Sequence, residues 1–292
     1  MSTAIIINPI SGGASPAAAR ARAQLALAVV DAHGDPVEVL MTQRVGHARE
    51  LAKSAVRRGA RLVLAWGGDG TINEVASALA FDEVPMGIVP AGSGNGLARE
   101  LGVSLRPERA IADALQAVPR PMDLGELDGH LFANVAGIGF DAHIAAAFAT
   151  STRRGFVSYA GITMRSIAGY VAQTYRVTTG GTQTTHRAIL VTIANSAQFG
   201  NNARIAPGAR VDDGELDLVV IEERSRFGTM CQMPRLFNGT VAKAPGCTIR
   251  QVREVTIEAD RPMTYHVDGE PVLGGTKLRA RIHPGALRVA VR

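Results

Sequence analysis

Short apolar runs and helical segments alternate along the first 118 residues of the chain. Four short, largely apolar runs predict strands: Ala4 to Ile7, Val37 to Leu40, Leu62 to Trp66 and Val84 to Val89. The segments between and after them predict helices: Pro16 to Val30, Gly46 to Arg58, Thr71 to Leu79 and Pro107 to Val118. Strands that alternate with helices in this way predict a parallel sheet with helices on both faces.

The pattern changes around Val118-Pro119-Arg120-Pro121, where we place a domain boundary. The segments beyond it that predict strands are Met122 to Leu127, His130 to Val135, Val177 to Thr179, Arg187 to Ile193, Leu216 to Ile221, Val252 to Ala259, Met263 to Val267, Leu278 to Ile282 and Leu287 to Val291. Helices are predicted at Tyr159 to Gln173 and Phe227 to Phe237. The sequence therefore predicts an α/β domain over residues 1–120 and a mostly antiparallel β domain over residues 121–292.

The composition is that of a globular protein, with 46% hydrophobic and 20% charged residues in a chain of 292. A net charge of +5 and a pI near 9.7 favour an anionic partner: a nucleotide, a nucleic acid or an acidic membrane surface. Cys231 and Cys247 lack the spacing of metal ligands and fit reduced thiols in a cytoplasmic protein. The N-terminus lacks signal-peptide features, and no apolar run approaches the roughly 18 residues of a spanning helix, so we expect membrane contact only from the surface.

A glycine-rich turn, Gly67-Gly68-Asp69-Gly70-Thr71, joins the third predicted strand to a helix. Thr71 is predicted as the N-cap of that helix, and Glu74 three residues later completes a capping box. Such a junction directs backbone N–H groups and the positive helix end at one point, which suits a phosphate. The short side chain of Asp69 could hold Mg²⁺ or accept a proton there. The alternative is a plain turn in which this aspartate bonds its own backbone.

Two more loops follow predicted strands of the same domain. Asn8-Pro9-Ile10-Ser11-Gly12-Gly13 comes after the first strand, and Gly92-Ser93-Gly94-Asn95-Gly96 comes after the fourth. The carboxyl ends of parallel strands share one edge of a sheet, where open α/β sheets bind ligands. We therefore expect the three loops to face one crevice, although each loop alone is also compatible with a flexible connection.

Two acidic turns in the second domain offer carboxylates. Val267-Asp268-Gly269-Glu270-Pro271 is a strand end followed by a turn, and it exposes two carboxylates that could accept a proton from a hydroxyl group. Asp-Gly is also among the strongest hairpin signals, so a bare turn is the alternative. The other turn runs from Arg210 to Asp217, and its spacing alone favours a solvated, Asp-rich turn.

Four motifs occur in order along the chain: Asn8 to Gly12, Gly67 to Val75, Gly92 to Asn95 and Asp268 to Glu270. Together they resemble the diacylglycerol kinase catalytic-domain family, in its bacterial branch of soluble lipid kinases. Sphingosine kinases and, more distantly, NAD kinases and phosphofructokinases are similar in the glycine-turn region. The resemblance covers essentially the whole chain. It implies an α/β ATP-binding domain followed by a β-sandwich domain that binds lipid and metal, with the active site in the cleft between them.

The resemblance also implies roles for particular residues. Those implied to hold ATP are Asn8, Pro9, Ile10, Ser11, Gly12, Thr42, Gly67, Gly68, Asp69, Gly70, Thr71, Ile72, Asn73 and Ser93. Either Asp268 or Glu270 is implied as the base that activates the lipid hydroxyl. Mg²⁺ is implied at Asp213 with the carbonyls of Arg210 and Glu215, in keeping with the preference of this ion for oxygen ligands. Asp69 is the further catalytic candidate, near the Mg²⁺ that screens the transferring group.

The sequence thus predicts an ATP-dependent lipid kinase of phospholipid biosynthesis, cytoplasmic and held at anionic membrane surfaces by its positive charge. Both a diacylglycerol-like lipid and a sphingoid base are candidates for the acceptor, because the turn at residues 92–96 looks more like that of sphingosine kinases. The alternatives are a soluble-substrate kinase of the NAD kinase type and a non-catalytic nucleotide-binding regulator. Nucleic-acid binding is not expected, since the chain lacks a basic run and an aromatic platform. The oligomeric state is open, with a homodimer as one alternative.

Overall fold

The computed structural model describes residues 2–13, 15–34, 36–149, 161, 163, 166, 169–225, 228–229 and 232–292. The chain divides into two compact units. The first unit comprises residues 1–122 together with residues 285–292, and the second unit comprises residues 123–284.

A parallel sheet forms the centre of the first unit. Its strands are β1 (Ser2–Ile7), β2 (Val37–Met41), β3 (Ala60–Gly67) and β4 (Met86–Pro90). They lie in the order β4-β3-β1-β2, and each neighbouring pair is parallel. The described helices of this unit are α1 (Pro16–Asp31), α2 (His47–Arg57), α3 (Asp69–Leu79), α4 (Gly96–Glu100) and α5 (Pro107–Gln116). The predicted α/β fold is confirmed.

Apolar side chains of this sheet pack against two of the helices. Ile5, Leu64 and Trp66 are almost completely buried, and they share one cluster with Ala26 of α1 and Ile111 of α5. Each such side chain contributes about 1.5–3 kcal/mol when it is fully buried. Helices α2 and α3 contact each other; α2 also contacts β1 and β3, and α3 contacts β3 and β4. The apolar runs that predicted the strands thus also form the core.

The second unit is built mostly from strands. They are the end of β5 (Arg120–Leu127), then β6 (His130–Phe132), β7 (Val135–Gly139), β8 (Gln173–Thr179), β9 (Thr182–Ala194), β10 (Gln198–Gly200), β11 (Ala203–Arg204), β12 (Leu216–Glu222), β13 (Cys247–Val252), β14 (Glu254–Ala259), β15 (Thr264–Val267), β16 (Glu270–Leu273) and most of β17 (Lys277–Val289). Helices α6 (Phe140–Ala149) and α7 (Pro234–Phe237) accompany them.

Antiparallel pairing dominates this unit, as predicted. Strand β9 pairs antiparallel with β7, β8 and β12, while β15 pairs antiparallel with β7 and β16. The buried side chains between these strands form one large cluster that includes Val177, Val191, Leu218, Ile257 and Tyr265. This cluster fixes which face of each strand is buried, because a shift of pairing by one residue would turn every side chain to the other face.

The last residues of the chain belong to the first unit, whereas the sequence placed them in a second domain of residues 121–292. Val289 of β17 pairs in parallel with Met86, and the N–H of Ala290 donates to the carbonyl of Met86 at 2.8 Å. Leu287 and Val289 are completely buried there. The domain boundary that the sequence placed near residue 120 lies between Met122 and Asp123 in the structure.

Several predicted elements differ from the structure. The strand predicted over His130 to Val135 is interrupted, because the N–H groups of Ala133 and Asn134 donate to the carboxylate of Asp268 instead of a neighbouring strand. The two strands predicted at the C-terminus are one strand, β17. Helix α6 was not predicted, since its nearly continuous apolar sequence lacks a helical period.

The two helices predicted in the second domain lie largely or partly outside the described residues. Gln173, the predicted end of the first one, begins strand β8 instead. Of the second, the described part includes α7 at Pro234–Phe237. In the described part of the chain, no helix combines the length and the apolar character that crossing a membrane requires.

Candidate functional site

Loops after β1, β3 and β4 meet at the carboxyl edge of the parallel sheet. The N–H of Asn8 donates to the carbonyl of Trp66 at 2.9 Å, and that of Ala91 donates to the carbonyl of Gly67 at 2.8 Å. Thr42, which follows β2, lies beside them because its N–H donates to the carbonyl of Ile7 at 2.9 Å. The structure therefore brings together the loops that the sequence predicted to face one crevice.

Glycine allows these loops to approach through their backbones. A Cβ atom on Gly92 would lie 2.7 Å from the Cα atom of Gly68. A Cβ atom on Gly12, whose φ is 68°, would lie 2.6 Å from the carbonyl oxygen of Ala91. Side chains at these positions would push the loops apart, so the glycines are required by packing and, at Gly12, also by conformation.

Side chains from the loops connect them further. The amide nitrogen of Asn8 donates to the hydroxyl of Thr71 at 3.0 Å, and the N–H of Gly68 donates to the hydroxyl of Ser11 at 3.3 Å. The guanidinium of Arg22, on α1, donates to the carbonyls of Asn8 and Ser11 at 3.1 and 2.9 Å. Sequence analysis missed Arg22, because nothing local marks an arginine that reaches a loop more than ten residues away.

The N-cap of helix α3 lies three residues before the predicted position. Gly68 is its N-cap and Asp69 its first residue, so the prediction of Thr71 as N-cap was wrong. Glu74 does not complete a capping box either. Its carboxylate accepts the N–H groups of Gly46 and Ala48 at 2.7 and 2.9 Å, at the start of α2. The glycine turn enters the helix directly, which leaves Thr71 within the first helical turn.

The first N–H groups of a helix have no partner inside it. In α3, those of Gly70 and Thr71 donate to no other described residue. Within the described part of the chain, the positive end of this 11-residue helix therefore offers unpaired donors next to the loops after β1 and β4. This arrangement is suited to a phosphate group.

Asp69 connects the first glycine turn to the second. Its Oδ2 and Oδ1 atoms accept the N–H groups of Asn95 and Gly96 at 2.9 and 2.7 Å. The N–H of Gly92 is accepted by the side-chain oxygen of Asn95 at 2.8 Å. Three N–H groups of the second turn therefore already donate to acceptors within the protein. They are not available as hydrogen-bond donors to a ligand. Ser93, its predicted contact, is exposed.

The other residues implied to hold ATP have distinct environments. The side chain of Ile72 is 1% exposed in the core, and its N–H donates to the carbonyl of Gly68 at 3.0 Å. Asn73 is also buried, whereas Ile10 is 75% exposed and Pro9 is half-buried. Any contribution of Ile72 to a nucleotide site would act through the shape of the turn.

The acidic turn at residues 268–269 is a tight hairpin between β15 and β16. Asp268 and Gly269 have φ values of 48° and 89°. A two-residue hairpin loop of the commonest kind needs positive φ at both positions. The Asp268 carboxylate accepts three N–H groups at 2.8, 2.9 and 3.0 Å, from Ala133, Asn134 and Val135. The turn is therefore attached to the segment between β6 and β7.

Glu270 differs from Asp268 in its surroundings. It is exposed at the start of β16, and its carboxylate makes no hydrogen bond or ion pair with the described residues. A general base needs an oxygen that can reach the proton to be removed. Both oxygens of Asp268 are already engaged, so the structure favours Glu270 in the choice that the sequence left open.

The turn at residues 210–217 concentrates negative charge. Asp213 accepts the N–H of Glu215 and the side-chain amide of Gln251, each at 3.1 Å, while the guanidinium of Arg210 contacts Asp212 at 3.3 Å. Burial is the larger cause and the neighbouring carboxylates of Asp213 and Glu215 the smaller one of a rise in the pKa of Asp217 to about 6.

A cluster of neighbouring carboxylates such as this one favours the binding of a cation. Among the described residues, however, no three side chains of His, Cys, Asp or Glu form a group that could hold a metal ion. A Mg²⁺ ion at this turn would therefore depend on Asp213, on the backbone carbonyls of Arg210 and Glu215, and on water. This donor set fits Mg²⁺, which usually keeps several waters.

These features define a class of protein with two units, an α/β unit that carries glycine-rich loops and a β-rich unit. The family model described as the diacylglycerol kinase catalytic domain matches residues 2–127. The model described as the YegS C-terminal NAD kinase beta sandwich-like domain matches residues 134–291. The chain belongs to the YegS-like lipid kinase family, which also confirms the resemblance stated from the motifs.

Individual relatives agree with this assignment. A Pseudomonas aeruginosa protein described as a probable lipid kinase, YegS-like, is 33% identical over 88% of this chain and 85% of its own length. A Chromohalobacter salexigens protein with the same description is 30% identical over 88% of this chain and 84% of its own length. The crystal structure of a diacylglycerol kinase from Bacillus anthracis str. Sterne has a TM-score of 0.76 at 19% identity, over 100% of this chain and 97% of that one. At that identity, the similarity shows the fold alone.

Proposed function

We propose that this protein transfers the γ-phosphoryl group of ATP to a hydroxyl group of a lipid. The observation that carries the proposal is the junction of three backbone loops at one sheet edge, beside the N–H groups of Gly70 and Thr71, which have no acceptor among the described residues. Membership of a lipid kinase family supports a phosphotransferase, and the descriptions of the relatives name lipid kinases. These descriptions support the choice of a lipid as the proposed acceptor.

The phosphates of ATP would be held by the loops after β1, β3 and β4. Phosphoryl transfer asks the protein mainly for positioning and for stabilisation of negative charge. Donors at the start of α3 supply both, because they are fixed by the helix and lie at its positive end. Thr42 and Ser93 border the same edge of the sheet and add hydroxyl groups.

Glu270 would accept the proton of the lipid hydroxyl. The hydroxyl oxygen forms a bond to the γ-phosphorus, the bond between that phosphorus and the bridging oxygen breaks, and ADP leaves. Asp268 would instead hold the turn through its three backbone hydrogen bonds. The cleft between the two domains, which the sequence predicted as the active site, stays a prediction.

Mg²⁺ would be held in the second unit by Asp213 and the carbonyls of Arg210 and Glu215. When bound, the ion supplies positive charge that offsets the carboxylates around it. Asp213 keeps its side chain in place through Glu215 and Gln251, at 3.1 Å each. In this proposal, Asp69 holds the second glycine turn against the first by accepting the N–H groups of Asn95 and Gly96.

The proposal is tested with γ-labelled ATP and three acceptors: vesicles containing diacylglycerol, vesicles containing sphingosine, and NAD. We expect the wild-type protein to label a lipid and Glu270→Gln to do so about 100-fold more slowly, which is a typical loss for a general base. Glu254→Gln, at an exposed glutamate on β14 of the same unit, is the matched control and should keep the wild-type rate.

The other outcomes separate the alternatives. Label in NAD alone would show a kinase of the NAD kinase type, which the description of the C-terminal domain makes a specific rival. Binding of ATP without turnover of any acceptor would show a nucleotide-binding regulator. Either result overturns the proposal of a lipid kinase.

We further propose that the protein contacts membranes at their anionic surface. Its net charge is +5, and each basic residue near such a surface contributes about 1 kcal/mol. Flotation with phosphatidylglycerol vesicles, but not with phosphatidylcholine vesicles, is the expected result, and equal flotation with both would contradict it. The sequence predictions of no nucleic-acid partner and of a homodimer as one alternative stay predictions.

A further inference from the structure

A buried acid and a buried histidine lie next to the turn that carries Glu270. Asp141, in the first turn of α6, is 7% exposed, and His266, on β15, is 5% exposed. The Oδ2 atom of Asp141 and the Nε2 atom of His266 are 3.4 Å apart. All of these residues belong to the second unit. Neither member of the pair stood out in the sequence, and neither has a part in the phosphoryl transfer described above.

Other groups fix the orientation of the Asp141 carboxylate. Its Oδ1 atom accepts the N–H of Ala142 at 2.8 Å, and its Oδ2 atom accepts the hydroxyl of Thr192 at 3.1 Å. Thr192 is completely buried. A buried carboxylate is costly unless polar partners surround it, and Nε2 of His266 lies 3.4 Å from Oδ2 as a further polar neighbour.

His266 contacts the turn through its other ring nitrogen. The N–H of Gly269 donates to the Nδ1 atom of His266 at 3.2 Å. A ring nitrogen that accepts a hydrogen bond carries no proton, so the proton of the neutral imidazole is on Nε2 and faces Asp141. Asp141 therefore selects the tautomer of His266 that can hold Gly269.

The neighbouring strand leaves room for this pair. Gly137, on β7, is paired with His266 in the antiparallel ladder. A Cβ atom at Gly137 would lie 1.9 Å from Oδ2 of Asp141 and 2.7 Å from Nε2 of His266. Any other residue at position 137 would displace the two side chains from each other.

The turn is thus held at two successive residues. Asp268 is bound through its side chain to the segment at residues 133–135, and Gly269 is bound through its N–H to His266. Glu270 follows immediately as the first residue of β16. The direction in which Glu270 leaves the turn therefore depends on the attachment of Gly269.

We propose that His266, in the tautomer selected by Asp141, is a positioning residue for Glu270. The inference rests on the proposed function, because it concerns the base of that reaction. His266 touches no reacting atom and acts only through the N–H of Gly269. Misplacement of a reacting group by about 1 Å can cost as much as 100-fold in rate, so a small shift of the turn is enough to matter.

Two amide variants separate the two contacts of His266. In His266→Asn, the side-chain oxygen can take the place of Nδ1 and accept from Gly269, but the side chain is too short for Asp141. In His266→Gln, the amide nitrogen can take the place of Nε2 and donate to Asp141, but no acceptor faces Gly269. We expect kcat to fall about tenfold or more in His266→Gln and less than about threefold in His266→Asn, with KM for ATP unchanged in both.

His283 offers a matched control. Its Nε2 atom contacts Oε2 of Glu126 at 2.7 Å, so this is another imidazole–carboxylate pair of the second unit. His283→Asn should leave kcat unchanged. Thermal unfolding of all three variants shows whether any loss of rate reflects a loss of folded protein.

A spectroscopic measurement tests the same arrangement without catalysis. In the wild-type protein, imidazole ¹⁵N shifts of His266, assigned through the backbone, should show a protonated Nε2 and an unprotonated Nδ1. In Asp141→Asn, the amide cannot accept from Ala142, Thr192 and His266 in the wild-type way, and the spectrum should shift toward the other tautomer. The measurement on the wild-type protein reports the tautomer of His266 even when the Asp141→Asn variant fails to fold.

The results separate the inference from the proposed function. If the wild-type protein labels a lipid, equal kcat values for His266→Gln and His266→Asn would overturn the positioning role, and so would a protonated Nδ1 in the wild type. If the wild-type protein labels no lipid, the proposed function fails, while the ¹⁵N shifts still decide whether Asp141 sets the tautomer of His266.

Discussion

Gly92 illustrates how a single residue type sets the geometry of the loops. Its backbone lies so close to Gly68 that even one added carbon atom would be 2.7 Å from the Cα atom opposite. The sequence showed that glycines were concentrated here, and the structure shows which contact each one permits. Glycine in these loops is therefore a packing requirement as much as a source of backbone freedom.

We predict that Gly92→Ala destabilises the protein by about 1–3 kcal/mol, because the added methyl group overpacks the contact with Gly68. It should also weaken binding of a non-hydrolysable ATP analogue, since the two glycine turns can no longer approach. Urea unfolding and calorimetric titration measure the two effects. Gly208→Ala is the control, because a Cβ atom at Gly208 would meet nothing within 4 Å. An equal effect of both substitutions would contradict the prediction.

Individual carboxylates could not be assigned from the sequence alone. Asp268 and Glu270 are two residues apart in the same turn, and Asp69 lies in a turn of its own. Only the hydrogen bonds separate them: Asp268 and Asp69 use both oxygens on backbone N–H groups, and Glu270 remains exposed. Whether a carboxylate oxygen accepts a hydrogen bond depends on segments far away in the chain, such as residues 133–135 for Asp268.

At the scale of elements, the beginnings of helices show where local rules succeed and fail. Ser15 caps α1 by the local rule for serine at this position, and its hydroxyl accepts the N–H of Ala18 at 3.3 Å. Glu74 fits the local capping pattern equally well, yet it binds the start of α2. The two helices are neighbours in space, and a long-range contact replaced the local one.

Strand β12 carries a buried acid whose titration should be visible in stability. Burial, with help from Asp213 and Glu215, raises the pKa of Asp217 to about 6, above its value of about 3.9 in an unfolded chain. The folded state therefore binds more protons than the unfolded state between these two pKa values. Its stability falls as the pH rises through this window, and it is constant with respect to this group above the window.

We predict that Asp217→Asn removes this slope, so that the free energy of unfolding of the variant minus that of the wild type is about 1–3 kcal/mol larger at pH 7.5 than at pH 4. Urea unfolding of both proteins at the two pH values, in the presence of EDTA, measures the difference. Asp260→Asn is the control, because the Asp260 side chain is 78% exposed. The same change with pH in wild type and Asp217→Asn would refute the prediction.

At the scale of the whole molecule, the end of the chain returns to the unit in which the chain begins. Phe81 donates its N–H to the carbonyl of Ala286, and Ala290 donates to Met86 at 2.8 Å. These contacts join residues some 200 positions apart in sequence, so no local pattern could indicate them. The strand itself was predicted from its apolar residues, but its partner was not.

We predict that Leu287→Ala destabilises the first unit by about 2–5 kcal/mol, because Leu287 is completely buried there. Hydrogen exchange measured by mass spectrometry should show faster exchange in β4 and unchanged exchange in β9. Leu273→Ala provides the control, since Leu273 is 88% exposed. Faster exchange confined to β9 would show that the end of the chain stabilises the second unit instead.

The sequence by itself determined the class of each unit and the places where loops follow strands. Apolar periodicity and glycine position are local properties, because they reflect which face of a strand is buried and which turns the backbone can make. The four motifs in their order also determined the family, which the comparisons confirm.

Tertiary structure alone decided what each polar group in these loops does. The roles of Arg22, Glu74, Asp69 and Asp268 each depend on a partner that only the folded chain brings near. The pair of Asp141 and His266 is the clearest case, since 125 positions separate two residues whose side-chain atoms are 3.4 Å apart. A hydrogen bond depends on distance in space, and distance along the chain carries almost no information about it.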